Sequence, residues 1–357
     1  MTTQELDTAK VQAFAGQMLG TLNGASLALM ASIGHQTGLF ETMAGLPPSS
    51  SEQIAQAAGL QERYVREWLG AMVAGHIVEC DAAGKTFTLP PEHAACLTRA
   101  AGPNNLATYM AFIPLMANVE KQVINSFHNG GGVPYSAYPD FQRRMAENSG
   151  MVVDATLIDM TLPLVTGLVA RLRAGIDVAD VGCGSGHAIN TMAKAFPNSR
   201  FTGFDFSEDG IATGTAEAQS LGLANARFLL QDAATLNAPA QFDLITVFDA
   251  IHDQAQPRKV LRNIASALRP GGALLMVDVR ASSNVAENAD HPLGPFLYTV
   301  SCTHCMTVSL ALNGEGLGAA WGEQKALELL AEAGFTQVQV KQVEGDIINN
   351  FYVCRKG

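Results

Sequence analysis

The sequence predicts an α/β fold, a doubly wound sheet of seven strands, preceded by a mainly α domain. Three observations carry this. From residue 176 onward, short apolar strands alternate with helical stretches, and Gly or Pro punctuates the joins. Three of those strands end in, or run into, an acid: Asp180, Asp205 and Asp232. The first acid is followed by glycines at alternate positions, Gly182, Gly184 and Gly186.

The elements follow in order. Ile176–Asp180 is a buried strand, and the glycine loop turns it into a helix beginning near His187. Glycines belong where a chain turns sharply from strand to helix and a ligand approaches the backbone. The dinucleotide fingerprint needs a glycine at position 187, where a histidine stands, so the loop suits another nucleoside ligand. Residues 201–206 form the second strand; the carboxylate of Asp205 at its end can accept from both hydroxyls of a ribose, beside Phe206. A helix over 208–221, a strand over 227–232, a strand over 242–248 and a helix over 257–268 come next. Pro270-Gly271-Gly272 turns into the strand 273–278, and a helix over 323–333 leads into strands 336–342 and 350–355. Read together, these elements predict a parallel, Rossmann-like sheet.

Length and composition set the frame. At 357 residues with 48% hydrophobic and 15% charged residues, the chain has room for two folded cores. A net charge of -11 argues against a polyanionic partner such as nucleic acid. No apolar run reaches membrane-spanning length, and no basic region precedes an apolar block at the N-terminus, so a cytoplasmic protein without a membrane partner is expected. The six cysteines are scattered, which fits free thiols in a reducing compartment.

Three regions are expected: 1–100, a connector over 101–160, and 161–357. In the first, a helix ends near Gly38 and Ser51 is the expected N-cap of a short helix to Ala58. A second helix over 62–74 and a hairpin over 77–89 complete a winged-helix pattern. Its second helix sets Arg63 and Arg66 against Glu62 and Glu67, and residues 1–100 hold five basic against nine acidic residues. A DNA reader needs a basic footprint, so packing and homodimerisation through the apolar stretches 11–19 and 22–33 are the expected roles. In the connector, 106–119, 141–148 and 152–169 read as helical, with Pro114 interrupting the first. These helices are well placed to roof a pocket.

Asp180 with the G-x-G-x-G loop resembles motif I of the class I S-adenosylmethionine (SAM) methyltransferases. That resemblance implies SAM as cofactor, with Asp232 and Ala233 at the adenine. The order winged helix, helical connector, SAM fold is similar to small-molecule O-methyltransferases of the plant phenolic type. It also resembles a bacterial branch of winged-helix methyltransferases sometimes described as transcriptional regulators. Phe248-Asp249-Ala250-Ile251-His252-Asp253 looks like the end of that family's fourth strand, where a His-Asp pair stands and the histidine is the general base. Asp278 occupies the position of the acid that steadies it. Two departures are Gln254, where the family has an aromatic, and Phe248, where it often has a polar residue near the cofactor.

The implied reaction is methyl transfer to a small-molecule hydroxyl, with His252 taking its proton and Asp278 orienting the ring. The alternatives are transfer to a thiol or thioether, and a SAM-sensing regulator. Asp253, Tyr298, His304 and Met306 are candidate substrate contacts. Cys302-x-x-Cys305 with His304 invites a metal reading, but no second ligand pair follows, so no metal is expected.

Overall fold

The computed structural model describes residues 6–356, and the chain divides into two compact units, 1–117 and 118–357. The expected connector is thereby shared between them.

In the first unit a single helix, α1 (Thr8–Thr37), replaces the two apolar stretches of the sequence reading. No proline separates them, and Gly20 and Gly24 pass through the helix interior at a cost of about 1 kcal/mol each relative to alanine. Asp7 caps its start, and Gly38 ends it in the left-handed conformation at φ 73°. The helices α2 (Leu39–Ala44), α3 (Ser51–Ala58) and α4 (Glu62–Ala74) follow. Ser50, rather than Ser51, is the cap of α3. Its hydroxyl accepts the Gln53 N–H while Gln53 Oε1 accepts the Ser50 N–H, a reciprocal capping box. Ser51 lies inside the helix and donates to Glu62. The expected hairpin is present but short, pairing β1 (Glu79–Cys80) with β2 (Phe87–Thr88).

Trp68, Phe40, Ile54, Leu69 and Met72 fill this unit's core, and the Trp68 indole N–H donates to the Met30 carbonyl at 2.8 Å. Gly34 lets α1 pass the indole, since a Cβ there would come within 2.6 Å of Trp68. After α5 (Pro91–Leu97), the predicted interruption is realised as two helices, α6 (Leu106–Met110) and α7 (Phe112–Ala117). The break precedes Pro114, whose ring crowds the carbonyl four residues earlier.

The second unit starts with α8 (Glu120–Asn129) and α9 (Phe141–Thr156). Here α9 runs unbroken through the expected gap, and a π turn (Leu157–Thr161) and a 3-10 turn (Leu162–Leu164) end it at Pro163. Next come α10 (Leu168–Ala174), β3 (Asp177–Val181), α11 (His187–Ala195), β4 (Arg200–Asp205), α12 (Glu208–Ser220) and β5 (Ala226–Leu230). They are followed by β6 (Phe242–Phe248), α13 (Pro257–Ala267), β7 (Leu268–Val279), α14 (Gly294–Val300) and α15 (Met306–Ala311). The chain closes with α16 (Glu323–Glu332), β8 (Phe335–Lys341) and β9 (Asn349–Lys356).

The seven strands are ordered β5-β4-β3-β6-β7-β9-β8, parallel except that β9 is antiparallel to both neighbours. The sheet is therefore mixed rather than wholly parallel. The segment 342–348 is too short for the dozen-residue crossover a parallel return needs, so the chain doubles back as a hairpin. Alternate residues of the central strands enter opposite cores: Val178, Phe201, Leu244 and Leu275 on one face, Ala179, Ile245, Val247 and Met276 on the other. Both faces are covered by helices, and the carboxyl ends of β3, β4, β6 and β7 are left to build a site.

Candidate active site

Gly182, Gly184 and Gly186 all take positive φ, at 75°, 53° and 73°. The loop they form leaves β3 and enters α11 beside a cavity lined by Asp180, the loop itself, Asp205, Phe206, Gln231, Ala233 and Phe248. Asp205 ties the end of β4 to the loop: Oδ2 accepts the Gly184 N–H and Oδ1 the Ser207 N–H, each at 2.8 Å. Burial pushes its carboxyl upward, and these backbone donors oppose the shift. Asp180 is buried, accepts the Thr246 hydroxyl at 2.7 Å, and is pushed up to about 7 by burial.

Not every sequence candidate reaches the cavity. Asp232 Oδ1 accepts the Ala234 N–H at 2.8 Å, capping a 3-10 turn, and its neighbours Gln231 and Ala233 line the cavity. Tyr298 and Met306 do not line it either; the Tyr298 hydroxyl accepts from Asn288.

At the ends of β6 and β7 the predicted pair meets. His252 is 5% exposed, and its ring Nδ1 lies 2.7 Å from Asp278 Oδ1. The same oxygen accepts the Trp321 indole N–H at 2.9 Å and the Val279 N–H at 2.8 Å. Since a carboxylate only accepts, Nδ1 carries a proton and Nε2 is the position that exchanges one. Burial works against charge on the ring, but the Asp278 and Asp253 carboxylates outweigh it and hold the imidazolium well above the ordinary histidine range.

His252 itself does not line the cavity; the adjacent Asp253 does. Asp253 Oδ2 accepts the Tyr135 hydroxyl at 3.0 Å. Its Oδ1 stands 3.4 Å from His252 Nε2, buried and without a hydrogen bond among the described residues. Burial, reinforced by Asp253, keeps the Tyr135 phenol protonated.

His304 stacks on Phe141 at 4.0 Å and 14°, with Tyr135 and Tyr138 edge-on. Burial lowers it to about 4, so the ring is neutral; like Tyr298 and Met306 it does not line the cavity, and it touches the lining through Phe141 and Tyr135. Among the described residues, the ligating atoms of His252, Asp253 and Cys305 lie within 4.8 Å of one another. Burial pushes the Cys305 thiol to about 12 and the neighbouring carboxylates favour the protonated His252 ring, so a cation would compete with protons at two of the three groups.

Several lining residues lay outside the sequence reading: Tyr135, Phe141, Gln142 and Met145 from the connector, and His187 at the start of α11. The expectation that the connector helices roof a pocket covers the region of Phe141, Gln142 and Met145 but singled out none of these residues.

Residues 25–99 match the family described as Rv2258c-like winged HTH domain, and residues 172–342 match the family described as Methyltransferase domain. The chain carries a winged helix–turn–helix domain followed by a methyltransferase domain. Malonyl-[acyl-carrier protein] O-methyltransferase of Bacillus cereus is 25% identical over 157 residues, 44% of this chain and 52% of that protein. The chain spans about half the length of the curated relatives it matches.

Solved structures match along almost the whole chain. Human N-acetylserotonin methyltransferase, in complex with SAM, has a TM-score of 0.68 at 17% identity, covering 100% of both chains. The mitomycin 7-O-methyltransferase MmcR has a TM-score of 0.70 at 20% identity, covering 98% of this chain and 100% of that one. At such identities the likeness is one of fold.

Proposed function

We propose that this chain is a SAM-dependent methyltransferase that methylates a hydroxyl of a small molecule, with His252 as general base. The observation that carries the proposal is the buried Asp278–His252 pair at the ends of adjacent strands, one residue from the wall of the cofactor-type cavity. SAM is the cofactor; when bound it supplies an electrophilic methyl group on a sulfonium.

The residues present fit that group. A glycine loop at positive φ admits a ligand against the backbone, and Asp205 retains lone pairs for ribose hydroxyls. Gln231 and Ala233 flank the position for adenine, Phe248 offers an apolar wall, and Asp253 gives the cavity the sign that a cation prefers. The chain's own chemical step is removal of the acceptor proton at His252 Nε2, with Asp278 stabilising the imidazolium that results. Asp253, Tyr135 and the Phe141–His304 stack flank the acceptor.

The test is release of S-adenosylhomocysteine from SAM with a panel of phenols, hydroxy acids, thiols and thioethers. Turnover on a hydroxyl compound supports the proposal. Turnover confined to thiols or thioethers replaces oxygen by sulfur, and tight SAM binding with no turnover turns the reading toward a regulator.

A pH dependence follows from the carboxylates around His252. The ring accepts a proton only when neutral, and Asp278 and Asp253 favour its charged form. The rate therefore rises with pH as the ring deprotonates, with an inflection above the ordinary histidine value of about 6.5. A kcat/KM profile checks this, and the limb should be missing from His252→Ala.

The same reading includes a homodimer. Val11, Phe14, Met18, Leu22, Leu29 and Ile33 recur at three-, four- and seven-residue steps along α1, and all are exposed. An apolar stripe of that length on a helix calls for a partner surface, and a second copy of α1 supplies one. Light scattering is expected to find twice the chain mass for the natural protein and the single mass for Phe14→Asp/Leu22→Asp.

A further inference from the structure

Helix α9 borders the cavity through Phe141, Gln142, Met145, Ser149 and Val153, yet none of its sixteen residues is buried. A helix whose residues are at most half-buried depends on what its side chains grip as well as on its packing. One such grip lies at the cofactor loop. His187, the first residue of α11 after Gly186, has Nε2 2.9 Å from Asp154 of α9 and Nδ1 2.7 Å from Glu217 of α12. The second Glu217 oxygen accepts from Asn190 at 2.8 Å, which aims the carboxylate at the ring. Gln142, near the other end of α9, reaches the loop as well: a Cβ on Gly184 would lie 3.9 Å from its Oε1.

We propose that His187 is a positioning residue that clasps helix α9 over the glycine loop, so that its two carboxylate bonds set the lifetime of the bound cofactor. The proposal rests on SAM being that cofactor. A ring bonded to a carboxylate at each nitrogen has both nitrogens as donors and is an imidazolium. Burial lowers its proton affinity, but Asp154 and Glu217, the charged groups acting on it from the two neighbouring helices, outweigh that and raise it above the ordinary value. Loss of the proton leaves one carboxylate facing a lone pair, and the bond to the more exposed Asp154 is the one that opens. The clasp thus holds at mildly acid pH, where both carboxylates are ionised and the ring is charged, and loosens as pH rises through the raised value.

The experiment measures dissociation of S-adenosylhomocysteine from the full chain by stopped flow, for the natural protein, His187→Gln, Asp154→Asn and the double variant. At about pH 6, where the ring is charged, each single variant is expected to release the ligand about three- to fivefold faster, the scale of a partly exposed ion pair. The double variant should be no faster than the singles, because both cut one clasp. At about pH 9.5 the ratio to the natural protein should fall toward one. Using the ratio cancels the titration of Asp180 and Asp205, which all four proteins share.

Equal lifetimes at the lower pH overturn the proposal, and so does a ratio that stays constant across pH, the mark of a merely structural defect. Asp154 is largely exposed, so its variant keeps the test valid should His187→Gln fail to fold. Failure of the natural protein to bind S-adenosylhomocysteine at all would sink the functional reading, whereas binding with unchanged lifetimes sinks only the clasp.

Discussion

Replacing His252 by alanine is expected to lower kcat on a hydroxyl acceptor by about 10²–10⁴-fold, the usual worth of a positioned general base. Binding of S-adenosylhomocysteine should be almost unchanged, because His252 does not line the cofactor-type cavity. Asp278→Asn separates charge from orientation. Three donors, from His252, Trp321 and Val279, converge on Asp278 Oδ1, while Oδ2 is buried without a partner among the described residues. An asparagine therefore turns its oxygen toward those donors and keeps the ring's tautomer, so only the negative charge is lost. The expected loss is about ten- to a hundredfold, and the acid limb of the pH profile moves down because the imidazolium has lost its counter-charge. A His252→Ala enzyme that keeps its full rate would mean the acceptor atom has no proton to lose, as in a thioether.

The second large effect concerns Gly186. Its φ of 73° disfavours any side chain, and an added Cβ would collide with the Phe228 ring. Gly203 and Gly214 leave room for the same ring; a Cβ on either would come within 2.8 or 2.9 Å of it. Gly186→Ala thus combines a left-handed backbone penalty with overpacking, about 2–4 kcal/mol together. Affinity for S-adenosylhomocysteine should drop about 100-fold or more as the loop is displaced. Thermal unfolding and calorimetry check both statements. Gly84→Ala is the control: its φ of 67° is similar, but none of the described residues comes within 4 Å of the new Cβ. Only the backbone penalty, about 1–2 kcal/mol, remains there. Phe228→Ala in the Gly186→Ala background should recover part of the binding, because it removes the collision and leaves the strain.

What could be read before the structure, and what could not, divides along a physical line. The strand–loop–helix at 176–195, the carboxylates of Asp180 and Asp205 at strand ends, and the winged-helix order of the first unit were all legible. Each is written in residues close together in the chain, where periodicity and glycine placement act directly on the backbone. The pairing of His252 with Asp278 was reached through the resemblance, and the structure places them 2.7 Å apart. Local reading failed where neighbours compete. Ser50 and Ser51 are chemically equal as caps, and only the reciprocal bond with Gln53 selects the first. The resemblance places Asp232 at the adenine, and the structure adds a second duty that the sequence did not show, capping a turn through Oδ1.

The sequence by itself determined the order of strands and helices, the ligand-facing loop and the acids beside it, because those are short-range consequences of residue type. Tertiary structure alone decided the antiparallel entry of β9, the bond from Trp321 to Asp278, the approach of Tyr135 to Asp253, and the grip of His187 on two helices. Each of these joins residues distant in the chain. Such pairings form only when packing of the whole domain repays the entropy of closing the intervening loops, a cooperative balance that no local pattern records.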